Sequence, residues 1–309
     1  MRILVTGGAG FIGSNLVKYL FCKYSDYQII VIDSLTYAGN LANIPNNIKD
    51  SSRFSFWYGD VRRTDLVNNL VAQSDVVVHL AAHTHVSRSI FDNISFYEND
   101  ILGTQAVANA VANCNNVGRF IHISTSEVYG TALYAPMDED HPLNPTTPYA
   151  SAKVGGDRLV YSYWKTYGIP AVIVRPFNQF GKFQHLEKVI PRFITSALMD
   201  ETLTIHGTGE YTRDWTYVED LCEELDKIIH APLEKLKGEV INIGSGRDIS
   251  VIDIAYIILD VMNKPRSLIT YLSDRPGQVE RHIASTDKAL RLLGWKATTA
   301  FEDGIRKTI

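Results

Sequence analysis

Two short stretches of the chain carry side chains that could move protons. Residues 125–127, Thr-Ser-Glu, directly follow an apolar run that spans residues 119–123, so they are predicted to lie at the end of a buried strand. Tyr149 and Lys153 are four residues apart, which places both on one face of a helix. A cation one turn away lowers the pKa of a phenol, so Tyr149 is a candidate general base. The same spacing also occurs in ordinary pairs on a helix surface.

The N-terminal residues carry the pattern of a dinucleotide-binding turn. A β-branched run ends at Thr6 and is followed by Gly7, Gly10 and Gly13. The first glycine permits a tight turn, the second lets a pyrophosphate approach backbone N–H groups, and the third lets a helix pack closely on the sheet. A second apolar run ends at Asp33, whose carboxylate suits an adenosine ribose and repels a 2′-phosphate. The pattern therefore predicts binding of NAD rather than NADP.

Alternation of strands and helices continues well beyond this turn. Further predicted strands span residues 54–58, 75–80, 119–123 and 171–174, and long predicted helices span residues 94–112 and 149–167. Such alternation predicts an α/β fold with a doubly wound parallel Rossmann sheet, which binds ligands at the carboxyl ends of its strands. The strict alternation then stops. We therefore expect an NAD-binding domain over residues 1–175 and a smaller, interleaved α/β substrate-binding part over residues 176–309, some of whose segments return to the sheet.

Composition excludes several classes of protein. The chain has 309 residues, 45% of them hydrophobic, with a formal net charge of −4 and no basic block, which argues against a nucleic-acid partner. No apolar run is long enough to span a membrane, and Met1 leads directly into a strand, so no leader is expected. The widely spaced Cys22, Cys114 and Cys222 are expected to be buried in a protein of the reducing cytoplasm. No cluster has metal-ligand spacing, so no metal is expected.

Taken together, these residues resemble those of the extended short-chain dehydrogenase/reductases, in the NAD-dependent epimerase/dehydratase family that acts on nucleotide sugars. The pattern is most similar to the branch of dTDP-glucose 4,6-dehydratase type. The motifs that carry this resemblance are GGAGFIG at residues 7–13, Asp33, Gly59-Asp60-Val61, Leu80-Ala81-Ala82, His85-Val86-Ser87-Arg88-Ser89-Ile90, the Tyr149/Lys153 pair, Arg175-Pro176-Phe177-Asn178, Glu187-Lys188-Val189-Ile190-Pro191, Arg213-Asp214-Trp215, Val218-Glu219-Asp220 and Arg275-Pro276-Gly277.

The resemblance implies two sets of binding residues. The cofactor set is Gly7, Gly10, Phe11, Ile12, Gly13, Asp33, Asp60, Val61, Leu80, Ala81, Ala82, Tyr149, Lys153 and Pro176. The substrate set is His85, Ser89, Asn178, Lys188, Val189, Arg213 and Arg275, whose two arginines would face the diphosphate.

The implied reaction has three stages. In the first, NAD takes a hydride from C4 of the hexose while Tyr149 takes the O4 proton. In the second, a base removes the acidified C5 proton as the C6 hydroxyl leaves as water. In the third, the hydride returns to C6. We assign Glu127 as the C5 base and expect Thr125 to hydrogen-bond O4. Lys153 would hold the nicotinamide ribose. The acid for C6 stays open between Ser126, a water it holds, and Glu127 in both roles.

Three positions depart from the pattern of the family: Ser126, Asp100 and Lys182, the last of which stands where proline is usual. The dTDP-glucose enzymes have aspartate where this chain has Ser126, whereas GDP-mannose 4,6-dehydratases and UDP-glucuronate decarboxylases share the serine. The decarboxylases have arginine after the lysine of YxxxK, and this chain has Val154 there. Decarboxylation is therefore the second hypothesis and 4-epimerisation the third. Asp100 stands where relatives usually have asparagine, which puts the hydrogen bonding behind the site in doubt.

Two expectations from other classes and one on assembly complete the analysis. A non-catalytic NAD-sensing relative is disfavoured because Thr125, Glu127, Tyr149 and Lys153 are all present. An RNA-associated member of the fold is disfavoured by the acidic net charge. The resemblance also implies a homodimer in which the helices near residues 94–112 and 149–167 pair with a second copy as a four-helix bundle.

Overall fold

The computed structural model of the chain describes residues 1–274 and 277–309. Its strands are β1 Arg2–Thr6, β2 Gln28–Asp33, β3 Phe54–Tyr58, β4 Val76–His79, β5 Arg119–Ile123, β6 Ala171–Pro176, β7 Asn178–Phe180, β8 Leu203–His206, β9 Thr212–Tyr217, β10 Val240–Ile243, β11 Asp248–Ser250 and β12 Ile269–Leu272. Its α-helices are α1 Phe11–Lys23, α2 Asn46–Lys49, α3 Thr64–Ala72, α4 Val86–Phe91, α5 Asn93–Tyr97, α6 Gly103–Ala112, α7 Pro148–Tyr167, α8 Val189–Leu198, α9 Val218–His230, α10 Leu233–Leu236, α11 Val251–Val261, α12 Asp287–Leu293 and α13 Phe301–Thr308.

A seven-stranded parallel sheet forms the centre of the fold. Its strand order is β10-β6-β5-β4-β1-β2-β3, and every neighbouring pair is parallel. Alternate residues of β1 point to opposite faces, so Ile3 and Val5 enter one apolar cluster and Leu4 enters the other. The order of connection reverses between β1 and β4, which opens a crevice at their carboxyl ends. The prediction of a doubly wound parallel α/β sheet is confirmed.

Residues beyond the central sheet form smaller sheets beside it. Strands β11, β9 and β7 make a three-stranded sheet, and β12 pairs with β8. An apolar cluster that includes Phe193, Ile205 and Ile258 holds helices α8 and α11 against them. Strand β10 lies in this half of the sequence yet pairs with β6 in the central sheet. The division at residue 176 stays a prediction.

The predicted helix over residues 94–112 is interrupted by a π-helical segment. Regular helix runs over Asn93–Tyr97 and again over Gly103–Ala112, and Glu98–Leu102 between them has the wider π geometry. Single π turns inside helices frequently occur at functional sites. Here the extra residue turns Asp100 inward, where it is only 2% exposed. The hydrophobic periodicity of the sequence carries no signal for this local change.

The cysteines only partly follow the expectation. Cys222 is buried, Cys114 is half-buried and Cys22 is exposed, so the prediction of burial was wrong for Cys22. The reason is its position on the outer side of α1, where Cys22 and Lys23 both face solvent. Within residues 1–274 and 277–309, no helix combines the length and the hydropathy needed to cross a membrane.

Candidate active site

A deep cleft with a volume of about 640 Å³ opens at the carboxyl edge of the central sheet. One wall comes from the turn after β1, the ends of β2, β4 and β5, and the start of α7. The other wall comes from β8, β9 and helix α8. The smaller sheets thus complete a site that the central sheet begins, as expected for a parallel sheet with a switch point.

In the turn between β1 and α1, glycines leave the backbone on the cleft wall uncovered by side chains. Gly7 has φ +68°, a conformation that favours glycine, and a Cβ there would lie 2.8 Å from the Ala81 backbone. A Cβ on Gly13 would lie 2.3 Å from the Gly7 carbonyl oxygen. Gly10 is the N-cap of α1 and supplies no capping side chain. The first N–H groups of the helix therefore face the cleft as a site for an anion such as a pyrophosphate.

The close approach at Gly13 predicts a large effect of one methyl group. Gly13→Ala is expected to separate α1 from the Gly7 turn, to lower the melting temperature and to abolish copurification of NAD. Gly118→Ala is the matched control, because its Cβ would meet nothing closer than the Asp75 carbonyl oxygen at 3.7 Å. Cofactor content per chain and thermal unfolding measure both effects. Full NAD content in the Gly13 variant would contradict this assignment.

Asp33 is held at the end of β2 by backbone donors. The N–H of Ala9 donates to Oδ2 at 2.9 Å and the N–H of Leu35 donates to Oδ1 at 2.8 Å. Burial raises the pKa of this carboxyl, and the two N–H donors act in the opposite direction. The carboxylate lines the same cleft as the glycine turn and is hydrogen-bonded to that turn through Ala9. The bare turn and the acceptor for a ribose hydroxyl together fit NAD.

Four candidate catalytic side chains converge on the middle of the cleft. Thr125 and Glu127 follow β5 on a 3₁₀ turn, in which the Thr125 hydroxyl accepts the Glu127 N–H at 3.2 Å. Tyr149 lies in the first turn of α7, which begins where Thr147 caps the Ala150 N–H and Pro148 follows. Lys153 is one turn further along α7. The predicted grouping of these residues is thus realised in the structure.

A buried ion pair fixes α7 relative to the strands. Arg175 on β6 contacts Asp157 of α7 through Nε to Oδ2 at 2.9 Å and Nη2 to Oδ1 at 3.0 Å. Its Nη1 also donates to the Tyr129 hydroxyl at 2.9 Å. Burial raises the pKa of Asp157, but the Arg175 guanidinium outweighs it and holds the pKa below its usual range. The pair therefore positions the helix that carries Tyr149 against the turn that carries Glu127.

The environment of Tyr149 differs from the expectation. Burial raises the pKa of its phenol well above the usual value, and a hydrogen bond from Thr125 acts in the opposite direction. The Lys153 ammonium donates to the Ile123 carbonyl oxygen at 2.7 Å, so its charge is directed to the strand end rather than to the phenol. The prediction that Lys153 lowers the pKa of this phenol was therefore wrong.

Asp100 preserves the hydrogen bonding that its substitution put in doubt. Its Oδ1 accepts the backbone N–H of His83 at 2.8 Å and the side-chain amide of Asn99 at 3.1 Å. The oxygen of an asparagine amide would accept the same bonds. Within residues 1–274 and 277–309, its other oxygen has no hydrogen-bond partner. Burial raises the pKa of Asp100 to about 6, with Lys153 acting in the opposite direction.

At the far end of the cleft, a carboxylate lies among one ammonium group and two imidazoles. Glu187 Oε2 is 3.6 Å from His85 Nε2 and 3.6 Å from His185 Nδ1. Lys188 donates to the Thr84 carbonyl oxygen at 2.7 Å and lies 3.9 Å from Glu187 Oε1. Burial lowers the pKa of Lys188. This cluster is suited to bind the hydroxyl groups of a sugar.

Most of the predicted site residues line the cleft. Those that do are Gly7, Gly10, Phe11, Ile12, Gly13, Asp33, Val61, Leu80, Ala81, Ala82, His85, Thr125, Glu127, Tyr149, Lys153, Pro176, Asn178, Lys188, Val189 and Arg213.

Three predicted side chains lie elsewhere, and one lies outside the described residues. Asp60 makes an ion pair with Arg62 at 2.7 Å instead of facing the cleft. Ser89 is fully buried and donates to the Val86 carbonyl oxygen at 2.6 Å. Ser126 is 1% exposed, does not line the cleft and lies 3.4 Å from His282 Nδ1 through its hydroxyl oxygen. Direct ligand contact by these three is not supported. Arg275 lies outside the described residues.

Two residues of the site were not predicted. Glu187 was noted as part of a motif, but its carboxylate was given no role. His282 was not noted, although the structure places its ring against Ser126 and close to Glu127. Its only signal in the sequence is a histidine five residues after Gly277, in the segment that resembles a phosphate-binding motif.

Comparison with known proteins identifies the family. A profile of the GDP-mannose 4,6 dehydratase family matches residues 4–308. Over its whole length the chain is 41% identical to the low-salt glycan biosynthesis protein Agl12 of Haloferax volcanii, of which it covers 97%. It is likewise 38% identical to a dTDP-glucose 4,6-dehydratase of Streptomyces niveus, of which it covers 92%.

One solved structure agrees closely with the fold. The crystal structure of DesIV, the dTDP-glucose 4,6-dehydratase of Streptomyces venezuelae, holds NAD and is 37% identical to this chain. It superposes with a TM-score of 0.94 over 100% of this chain and 95% of DesIV.

The chain therefore belongs to the GDP-mannose 4,6 dehydratase family, within the extended short-chain dehydrogenase/reductases. It is an NAD-dependent nucleotide-sugar 4,6-dehydratase, a carbon–oxygen lyase. The predictions of family, activity and cofactor are confirmed. The roles of individual residues stay predictions.

Proposed function

We propose that the protein removes water from a pyrimidine nucleoside diphosphate hexose, with dTDP-glucose as the first candidate, and forms a 4-keto-6-deoxy sugar. The observation that carries this proposal is the convergence of Thr125, Glu127, Tyr149 and Lys153 on one cleft. Relatives named dTDP-glucose 4,6-dehydratase support the choice of substrate, as does the motif at residues 187–191.

Oxidation at C4 needs a base for the O4 proton. The Tyr149 phenol faces the cleft and takes a hydrogen bond from Thr125, so Thr125 and Tyr149 together hold O4. Bound NAD would supply the hydride acceptor for C4 and the hydride donor for C6, and the positive charge of its oxidised ring would favour an ionised phenol. Lys153, now bonded to the Ile123 carbonyl oxygen, is within one turn of this position and holds the ribose.

Elimination needs a base at C5 and an acid at the C6 oxygen. Glu127 lines the cleft, whereas Ser126 is buried and does not line it. We therefore assign both tasks to Glu127, which removes the C5 proton and delivers a proton to the departing hydroxyl. Of the alternatives for the acid that the sequence leaves open, this one fits the geometry best.

Decarboxylation and epimerisation are less well supported. Val154 occupies the position at which a decarboxylase would present a cation, and it packs against the apolar cluster of Val128, Met137 and Phe177. A substrate carboxylate would find no positive charge at this point. Simple epimerisation would leave Glu127 without a role, because no C5 proton is removed.

A panel of sugar nucleotides tests the proposed function. The purified holoenzyme is incubated with dTDP-glucose, UDP-glucose, UDP-GlcNAc, GDP-GlcNAc, GDP-mannose and UDP-glucuronate, and each product is weighed by mass spectrometry. We expect loss of one water from dTDP-glucose at the highest rate. Fastest loss of water from a guanosine nucleotide would overturn the pyrimidine assignment, and loss of carbon dioxide from UDP-glucuronate alone would make the protein a decarboxylase.

We propose further that the protein is a homodimer that pairs through helices α5–α6 and α7. Ile94 and Leu102 are 66% and 55% exposed, and Tyr167 on the neighbouring α7 is 63% exposed. Gln105 donates to the Tyr163 hydroxyl at 3.1 Å, so the two helices present one continuous surface. A second copy of the chain would cover these exposed apolar side chains, and the two helices of each copy would form a four-helix bundle.

A charge in this surface is expected to separate the subunits. Leu102→Glu should shift the mass measured by light scattering from that of a dimer to that of a monomer. Leu290→Glu on α12 is the matched control, because Leu290 is similarly exposed, at 53%, and lies on a different helix. A wild-type protein that is monomeric at every concentration would exclude the dimer.

The cytoplasm is the proposed location. Three cysteines without a disulfide among residues 1–274 and 277–309 are typical of a reducing compartment.

A further inference from the structure

His282 is a buried imidazole beside the candidate base and has no part in the reaction as described so far. Its side chain is fully buried in the loop that follows β12. Single β-bridge pairs hold this loop on either side of His282: Arg281 pairs with Thr212, and Ala284 pairs with Met137. The ring also packs edge-on against Phe177 at 5.9 Å between centroids. The loop therefore fixes the imidazole in one orientation.

The two ring nitrogens of His282 have different partners. Nε2 lies 2.6 Å from the Gly130 carbonyl oxygen, which can only accept a hydrogen bond, so Nε2 carries a hydrogen. Nδ1 is then the nitrogen that can gain or lose a proton. It lies 3.4 Å from Ser126 Oγ and 3.9 Å from Glu127 Oε1. Nδ1, the nitrogen that can exchange a proton, thus faces the Glu127 carboxylate and the Ser126 hydroxyl. Ser126 stands where the dTDP-glucose enzymes have aspartate.

After water has left, Glu127 has no proton to return to C5. The carboxylate takes the C5 proton as the C5–H electron pair forms the C5–C6 double bond, and it gives that proton to the C6 oxygen, which leaves as water with the electron pair of the C6–O bond. Glu127 is then ionised again, yet C5 must regain a proton when C6 is reduced. Ser126 does not line the cleft, whereas the His282 ring lies 3.9 Å from the Glu127 carboxylate and can carry a second proton.

We propose that His282 is a positioning residue that holds the Glu127 carboxylate and supplies, through Nδ1, the proton that Glu127 returns to C5. The inference rests on the proposed function and deepens it. The imidazolium gives its proton to Glu127, and Glu127 protonates C5. His282 then regains a proton from water while Tyr149 releases the O4 proton to water, so protons and charges balance over a turnover. Burial lowers the pKa of His282, Glu127 acts in the opposite direction and favours the imidazolium, and Arg213 and His141 act with burial.

Two variants separate this role from a structural one. His282→Gln keeps a donor at the Nε2 position for the Gly130 carbonyl and removes the titratable Nδ1. His282→Asn keeps an amide near the Nδ1 position and removes the bond to Gly130. Both variants lack a carrier for the proton that returns to C5, so both are expected to lose about a hundredfold in the rate of C6 reduction, with accumulation of the dehydrated sugar and of reduced nicotinamide. C4 oxidation, followed in a single turnover by the absorbance of the reduced nicotinamide, is expected to keep the wild-type rate.

A pH profile provides the second readout. The wild-type rate of C6 reduction should depend on an ionisation that is absent from the profile of His282→Gln, whereas the profiles of C4 oxidation and water loss should be the same in both. C6 reduction at the wild-type rate in His282→Gln, with loss only in His282→Asn, would show that the ring serves the Gly130 contact alone and would overturn the proposal. If the wild-type enzyme dehydrates no sugar nucleotide, the proposed function fails instead.

Discussion

Glu127→Gln is expected to stop the reaction between C4 oxidation and loss of water. Glutamine keeps the shape of the side chain and the Thr125 contact to the backbone N–H, but it cannot accept the C5 proton. General bases contribute roughly 10²- to 10⁴-fold, so dehydration should fall by this factor. The holoenzyme should retain NAD, because Glu127 lies away from the glycine turn and Asp33.

Two measurements check the result for Glu127. With substrate present, reduced nicotinamide should accumulate in the variant and should be transient in the wild type. In D₂O, the wild-type product should carry deuterium at C5, and the variant should show no wash-in there. Unchanged wash-in at C5 would remove Glu127 from its role. Glu139→Gln is a suitable control, because this half-buried glutamate lies outside the cleft, where its carboxylate accepts the Asn242 N–H.

Tyr149→Phe is expected to stop the reaction one stage earlier. The phenyl ring keeps the packing of Tyr149 against Phe96, whose ring centroid lies 6.2 Å away, and removes only the hydroxyl that takes the O4 proton. Oxidation at C4 should fall by about 10²- to 10⁴-fold, and every later stage should fall with it. The fold should persist, since Tyr149 is held by α7 and not by its hydroxyl.

The two variants are distinguished by the absorbance of the reduced nicotinamide. Tyr149→Phe should produce none on the time scale at which Glu127→Gln accumulates it. Because burial raises the pKa of Tyr149, the wild-type rate of C4 oxidation should rise with pH as the phenol ionises. Accumulation of reduced nicotinamide at the wild-type rate in Tyr149→Phe would show that another group takes the O4 proton. Tyr129→Phe is the control for loss of a buried phenol behind the site.

Local sequence patterns were sufficient to predict the sheet and one wall of the cleft. Strands β3 and β5 occupy the predicted residues because each is a short run rich in β-branched or aromatic residues bounded by turns. Asp33 and the glycine turn were found because their spacing reflects contacts within one β-α-β unit. Tyr149 and Lys153 were found because a helix brings positions four apart together.

Contacts between distant segments could not be predicted in this way. Ser126 and His282 are separated by 156 positions, and no periodicity links them. The direction of the Lys153 ammonium depends on the carbonyl at the end of β5, 30 positions away. The π segment that turns Asp100 inward likewise results from packing against α7 rather than from propensity. These contacts decide which groups can exchange protons, and they require the folded chain.

Transfer of the C4 hydrogen to C6 tests the central claim most directly. The wild-type holoenzyme is given dTDP-glucose that carries deuterium at C4, and the product is analysed by mass spectrometry and NMR. We expect a product lighter by one water that retains the deuterium, now in the methyl group at C6. A product of unchanged mass would indicate epimerisation. A dehydrated product whose deuterium has been lost to solvent would contradict an internal hydride transfer in this cleft.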